Sequence, residues 1–335
     1  MPAITIDEIA RLAGVSKTTV SRVLNNKPDV SQQTRETIMA LIEQYDFHPH
    51  ALAKAISLQK SQSIGLIIPH EAQYIFSNPF YVEVMRGVST EVDRLGYYLL
   101  ICYPHSQNYV DIYKQKRVDG FIILSPGSLH KNIFKSLYDA EAPFISTSMI
   151  PDEKEMVYVD VDNKRGARLA MEHLISLGHR RIAFIGKPRL ASSIERLNGY
   201  RETLQEHGIA YDDNLVMISG DASISGGCSA AHEMLRRANP TAFFLVNDLL
   251  AMGAIKAIQE SGLNVPRDVS VIGFDDIPLS ECIYPPLTTI RQPAFEKGVR
   301  AARLLVQYLE KKKKPKSQLL DVDLVVRNST AAVRS

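Results

Sequence analysis

The stretch Thr5-Ile6-Asp7-Glu8-Ile9-Ala10-Arg11-Leu12-Ala13-Gly14-Val15-Ser16-Lys17-Thr18-Thr19-Val20-Ser21-Arg22-Val23-Leu24-Asn25 decides how this 335-residue chain is read. Thr5 with Glu8 three residues later has the form of a capping box, which opens a helix by satisfying its free amides. Ile9, Ala10, Leu12 and Ala13 supply an apolar face. Gly14 ends the helix and permits a tight turn. Ser16 caps a second helix over 17–24, with Val20, Val23 and Leu24 turned inward. Asn25-Asn26-Lys27-Pro28 breaks it, and Ser31 caps a third helix near 32–44 whose buried stripe is Ile38, Leu41 and Ile42.

Two short helices around a glycine turn make a helix-turn-helix. Small Ala10 lets the second helix approach closely, and Val20 fills the contact. The start of the second helix in this motif faces the DNA major groove. Here it offers Lys17, Thr18, Thr19, Ser21 and Arg22. Arginine pairs with guanine edges, threonine methyls meet thymine, and hydroxyls bond phosphates. The competing reading is a small helical subdomain with a solvated polar face. Net charge does not choose between them, since the whole chain carries only +2.

Beyond the third helix, Pro49 breaks the chain. Ala51-Leu52-Ala53-Lys54-Ala55-Ile56 has length for about two helical turns, too short to be stable alone. It reads either as an ordinary linker or as a hinge helix that orders on DNA and pushes an apolar side chain into the minor groove.

The ordered run 5–25 resembles the LacI/GalR family of bacterial transcription regulators, and the likeness continues through Ser31 to Arg35, Phe47-His48-Pro49 and nearly the whole chain. The resemblance implies that Lys17, Thr18 and Arg22 read bases. It also implies that Ile56 stands where the family's hinge wedge is usually leucine. The expected DNA-facing set is Ser16, Lys17, Thr18, Thr19, Ser21, Arg22, Asn25, Lys54 and Ile56. The partner is a pseudo-palindromic double-stranded operator, which calls for two heads and hence a homodimer. The tail 327–335 has no heptad run, so a dimer is expected rather than a tetramer.

After residue 62, strand-length apolar runs alternate with amphipathic helices. Strands are predicted over 64–68, 98–101, 121–124, 144–146 and 158–159, and again over 182–185, 215–218, 242–246, 270–273 and 288–290. Such alternation means parallel sheets covered by helices. Two series predict an α/β core of two lobes with a cleft at the carboxyl ends of the strands; one continuous sheet is the alternative. The resemblance implies a periplasmic-binding-protein-like core, with crossings near 160–162, 291–293 and 320–323. The expected domains are a head at 1–48, a hinge and linker at 49–62, and a core at 63–335. One lobe spans about 63–160 and 293–320, the other about 162–290 and 323–330.

Composition narrows the function. Apolar residues make up 45% and charged residues 23%, ordinary for a globular protein with a large core. The three cysteines, Cys102, Cys228 and Cys282, are far apart and show no zinc spacing. No phosphate-binding glycine loop or nucleophile elbow is present. Ser225-Gly226-Gly227 reads better as a helix start. No signal peptide or membrane span is seen, so a cytoplasmic location is expected. No catalytic residue, cofactor or metal is expected, and an enzyme or a transport-type binding protein would leave residues 5–58 unexplained.

Ser148, Arg196, Asn247, Asp248 and Asp275 follow predicted strands. Carboxylates and amides with one arginine suit a hydroxyl-rich ligand, although any one of them could be a cap or an ion pair, Asp248 especially. Asp275-Asp276 could also be a catalytic acid pair. The resemblance implies an effector site that includes Phe80, Tyr81, Ser148, Arg196, Asn247, Asp248 and Asp275, with Ser77-Asn78-Pro79-Phe80-Tyr81 as a cleft-lining segment. Many members carry aspartate at the place of Ser148 and an aromatic at that of Ala222. The link 70–76 is about four residues longer than usual and brings Tyr74 and Phe76 toward the mouth, or merely packs a loop. That longer link, together with Tyr158-Val159-Asp160-Val161-Asp162-Asn163 and Ile194-Glu195-Arg196-Leu197-Asn198-Gly199-Tyr200, is most similar to the family's maltose-operon regulators. A sugar effector is expected, as inducer or corepressor, with control by a partner phosphoprotein as the alternative.

Overall fold

The computed structural model describes residues 4–24, 27–47, 60–68, 72–103, 108–124, 131–150, 153–187 and 191–334. It falls into two compact units, Met1–Ser61 and Gln62–Ser335.

The first unit holds α1 (Ile6–Leu12), α2 (Lys17–Leu24) and α3 (Gln32–Gln44). The Thr5 amide donates to the Glu8 carboxylate at 2.8 Å, and the Glu8 amide returns a bond to the Thr5 hydroxyl at 3.3 Å. Both arms of the capping box are therefore made. Gly14 turns the chain at a φ of +65°. The Ser16 hydroxyl accepts from the Thr19 amide at 3.1 Å, and the Ser31 hydroxyl from the Thr34 amide at 3.2 Å. Ile9, Ala10, Val20, Val23, Ile38 and Phe47 form the core. Leu12 departs from the expected apolar face and is exposed. At 100° per residue it sits about 110° around the helix from the Ile9–Ala10–Ala13 face.

The second unit contains β1 (Ser63–Ile67), α4 (Ala72–Ser77), α5 (Pro79–Arg94), β2 (Tyr98–Cys102), α6 (Tyr109–Lys114), β3 (Gly120–Ile123), α7 (Lys131–Asp139), β4 (Phe144–Ser146) and β5 (Val159–Val161). There follow α8 (Asn163–Ser176), β6 (Ile182–Gly186), α9 (Ala191–Glu206), β7 (Val216–Ile218), α10 (Ile224–Ala238), β8 (Ala242–Leu245), α11 (Asp248–Glu260) and β9 (Ser270–Asp275). The last elements are α12 (Leu279–Cys282), β10 (Thr288–Arg291), α13 (Ala294–Lys311), β11 (Gln318–Leu320) and β12 (Asp323–Val325).

One sheet has the order β2-β1-β3-β4 and the other β12-β10-β9-β8-β6-β7, while β5 and β11 pair with each other. Central strands such as β3 and β8 are buried along their whole length, as parallel strands sandwiched between helices must be. These two sheets are the two lobes. The chain leaves the first after β5, returns as α13 against α5, and crosses again before β12. Helices α10 and α11 approach so closely that a Cβ on Gly253 would lie 2.0 Å from the Ile224 carbonyl oxygen.

Two features differ from expectation. β12 runs antiparallel to β10, an edge addition to an otherwise parallel sheet. Residues 72–77 are helical rather than an open link, because Ile75 is drawn fully into the first-lobe core. Phe76 on the same turn is exposed, and the Tyr74 side chain lies outside the described residues.

Candidate functional site

In the first unit, α2 presents Lys17, Thr18 and Arg22 to solvent, with Ser16 exposed just before it and Thr19 and Ser21 half-buried on its flank. Val20 and Val23 anchor the opposite side. The two cations are not idle. The Lys17 ammonium lies 3.0 Å from Asp7, and the Arg22 guanidinium 3.2 Å from Asp29. Ser16 and Thr19 share a hydroxyl–hydroxyl bond of 2.9 Å. The result is a hydroxyl-rich helical face with two cations tethered by exposed carboxylates. Asn25, Lys54 and Ile56, with the rest of the hinge segment 49–59, lie outside the described residues.

In the second unit a cleft with about 630 Å³ of empty space, its open mouth included, separates the lobes. Phe80, Tyr81, Ser148, Arg196, Asn247 and Asp275 all line it. Asn78 caps α5 by accepting from the Phe80 amide at 3.1 Å, and Pro79 opens the helix. That cap sets the Phe80 and Tyr81 rings edge to face at 5.4 Å. Ser148 follows β4, its amide bound to the Ser146 hydroxyl at 3.0 Å.

Arg196 stands on α9 and is 6% exposed. It donates to the Asn163 side chain at 2.9 Å and to the Val246 carbonyl. Its guanidinium stacks 3.4 Å above the centre of Phe274 and lies 3.9 Å from the Asp275 carboxylate. Burial favours the neutral acid at Asp275 and pushes its pKa up, while Arg196, Gln292 and Lys297 pull it back. Asp275 itself has a φ of +122° and Asp276 one of +57°. Two successive non-glycine residues in this region store backbone strain, and it is this turn that points Asp275 into the cleft and Asp276 away. Asp276 pairs with Arg291 and Arg327 at 2.6 and 2.7 Å, so the two acids do not form a shared pair.

Asp248 corrects an expectation. It has no exposed surface and does not line the cleft. Its carboxylate accepts from the Ile277 amide at 2.9 Å and from the Ser280 and Thr289 hydroxyls at 2.7 and 2.5 Å. Burial and the Asp275 charge raise its pKa. The capping role belongs to its neighbour: Asn247 accepts from the Leu250 amide at 2.8 Å and donates to the Ala222 carbonyl at 3.2 Å.

Sequence reasoning missed Asp160, Gln292 and Lys297, which also line the cleft. Lys297 donates to Asp160 at 2.9 Å and to Gln292 at 3.4 Å, and Gln292 donates to Asp275 at 2.5 Å. A polar chain Arg196–Asp275–Gln292–Lys297–Asp160 thus spans from the second lobe to the first. A signal for it existed. Lys297 lies on the apolar stripe of α13, one and two turns before Ala301, Leu304 and Leu305, where a lysine needs a buried partner.

Comparison with known proteins gives the family of the chain. A family model described as bacterial regulatory proteins, lacI family, matches residues 5–50, and one described as a periplasmic binding protein-like domain matches residues 171–330. The chain is 36% identical to the HTH-type transcriptional regulator DegA of Bacillus subtilis (strain 168), over 99% of each chain. It is similar to the solved complex of the transcriptional regulator CelR with cellobiose, with a TM-score of 0.75, 33% identity and coverage of 97% and 99% of the two chains. The lac repressor dimer bound to operator and the anti-inducer ONPF matches with a TM-score of 0.84, 30% identity and coverage of 98% and 99%. The chain belongs to the lacI family of bacterial regulatory proteins and is a sequence-specific DNA-binding transcriptional regulator, not an enzyme.

Proposed function

We propose that this protein is a homodimeric repressor whose operator affinity is changed by a neutral, hydroxyl-rich ligand in the cleft, a glucose-containing disaccharide or related sugar of the kind that suits a maltose-operon regulator. In this reading Lys17, Thr18 and Arg22 read base edges and the neighbouring hydroxyls hold phosphates. The head is 1–48, the hinge and linker 49–62, and the core 63–335.

The observation that carries the ligand class is the charge balance of the cleft wall. Arg196 stands beside Asp275, and Lys297 beside Asp160. Both of these cations already have carboxylates, and Lys187, the third cation on the wall, is under the electrostatic pull of Asp221, so a phosphate would meet acidic oxygens as well as guanidinium and ammonium. Sugar hydroxyls instead both donate and accept, and match carboxylate, amide and arginine together. Phe80 and Tyr81 supply an apolar ring platform, while the Ala222 position offers no aromatic for a nucleobase to stack on. The likeness to the CelR complex with cellobiose supports the same class, and the likeness to a lac repressor dimer on its operator supports the assembly.

Calorimetry of the full chain against mono- and disaccharides, nucleobases and sugar phosphates tests the ligand class, read beside operator binding with each compound present. A neutral sugar is expected to bind and to shift operator affinity. Binding of a purine or a phosphorylated sugar with no response to neutral sugars sinks the ligand assignment. A response only in the presence of a phosphorylated protein partner sinks direct sugar control.

A further inference from the structure

Away from the cleft, Cys228, His232 and Glu260 bring three donor atoms together, all within 4.8 Å of one another. Cys228 and His232 are four residues apart on α10, which places them one above the other on one helix face. Glu260 ends the neighbouring α11. The close crossing at Gly253, where a Cβ would also lie 2.6 Å from the Cys228 amide nitrogen, holds the two helices in register.

The atoms converge. One oxygen of Glu260, Oε2, lies 3.7 Å from the Cys228 sulfur and 3.0 Å from His232 Nε2. The other, Oε1, turns to Lys256 at 3.7 Å. Around a tetrahedral zinc with bonds of about 2.0 to 2.3 Å, neighbouring ligand atoms stand roughly 3.3 to 3.7 Å apart. Both measured edges are within a few tenths of an ångström of that. On the far side of the imidazole, Nδ1 meets the Ser261 hydroxyl at 3.4 Å. A partner there orients a ligating ring and leaves Nε2 for the metal.

We infer that Cys228, His232 and Glu260 form a site for one zinc-class divalent cation per chain, joining α10 to the end of α11. A thiolate, an imidazole and a carboxylate select zinc or cobalt over magnesium or calcium, which prefer all-oxygen shells. Thiolate and carboxylate together neutralise the cation, and water takes the fourth position. On binding, the Cys228 thiol proton passes to solvent; the hydrogen between His232 Nε2 and Glu260 is released while Nδ1, facing the Ser261 hydroxyl, takes one up, so the imidazole stays neutral and its Nε2 lone pair ligates the metal.

Cobalt(II) titration of the full-length reduced protein tests this, because sulfur-to-cobalt charge transfer is seen only when a thiolate ligates. One equivalent is expected to bring up the band, and zinc to abolish it. Cys228→Ser should remove the band. His232→Ala should weaken binding by roughly 10- to 100-fold or more, since even changes outside the ligand shell cost that much. The double variant C102S/C282S should keep the band. Operator binding by each variant, unchanged from the parent, shows that it is folded. No band at one equivalent, or a band that survives Cys228→Ser, overturns the site. Either result leaves the sugar-binding reading untouched, because none of the three residues lines the cleft.

Discussion

Arg22 and Asp29 lie 3.2 Å apart with both side chains half-exposed, so the side chain assigned to base reading is held by a carboxylate that DNA must displace. An exposed pair is worth about 0 to 1 kcal/mol. Asp29→Asn is therefore expected to raise operator affinity, by up to about fivefold. Arg22→Ala is expected to lower it by about 1 to 3 kcal/mol and to relax preference at one base pair. Binding to operator and random duplexes at one salt concentration checks both. Weaker binding by Asp29→Asn would show that the pair orients Arg22 for DNA, and equal loss on every sequence would make Arg22 a phosphate clamp. The exposed face of α2 was legible in sequence because its determinants are local: a capping box, a glycine turn and two buried valines. Asp248 was not. The Asn247 cap turns the following side chain into the protein, toward Ile277, Ser280 and Thr289, and nothing within a few residues of Asp248 reveals partners so far along the chain.

Helices α5 and α13 come from distant parts of the sequence, yet they share one buried carboxylate. Glu91 of α5 is 3% exposed and pairs with Arg94 at 2.7 Å and with Arg303 of α13 at 2.6 Å. The Arg94 and Arg303 guanidiniums hold its pKa at about 2, below the usual 4.5. A carboxyl depressed in the folded state stabilises fully above its unfolded pKa, and that contribution is lost as pH falls from about 4.5 through 2. Full conversion would be about 3 kcal/mol, and the exposed outer faces of both arginines reduce it to about 1 to 2 kcal/mol. Glu91→Gln should thus be less stable at pH 7 by that amount, with the difference from the parent shrinking toward pH 3. Urea unfolding at the two pH values measures it, and a difference independent of pH would assign the loss to packing alone. Most strands and helices were legible because a buried parallel strand is one unbroken apolar run and a surface helix repeats every 3.6 residues. The three-residue β12 is too short to carry a period, and α4 is anchored by the burial of Ile75. Lys297 looked like an interruption of an apolar stripe, and its buried partner Asp160 is 137 positions earlier.

A ligand between the lobes can act on DNA only if it binds the operator-bound and free forms unequally. The chain Arg196–Asp275–Gln292–Lys297–Asp160 is suited to such a difference, since it ties residues of both lobes to one another along the cleft wall. A sugar that bonds to these groups replaces some of the ties, and the balance between lobe arrangements moves by the difference. The coupling is reciprocal. If the sugar changes operator affinity by some factor, operator must change sugar affinity by the same factor, expected at roughly 5- to 150-fold for a coupling of about 1 to 3 kcal/mol. Sugar titrations of the protein alone and with saturating operator duplex, set beside operator titrations with and without saturating sugar, close that cycle. The direction also decides the mode of control: weaker sugar binding on operator makes the sugar an inducer, tighter binding a corepressor. Arg196→Ala should remove the coupling by abolishing sugar binding while operator affinity without sugar stays at the parental value. Its fold needs checking by thermal unfolding, because the substitution leaves Asp275 without its buried cation. A folded Arg196→Ala protein that still binds and answers to the sugar would move the ligand away from Arg196 and Asp275, and with them from the interlobe chain.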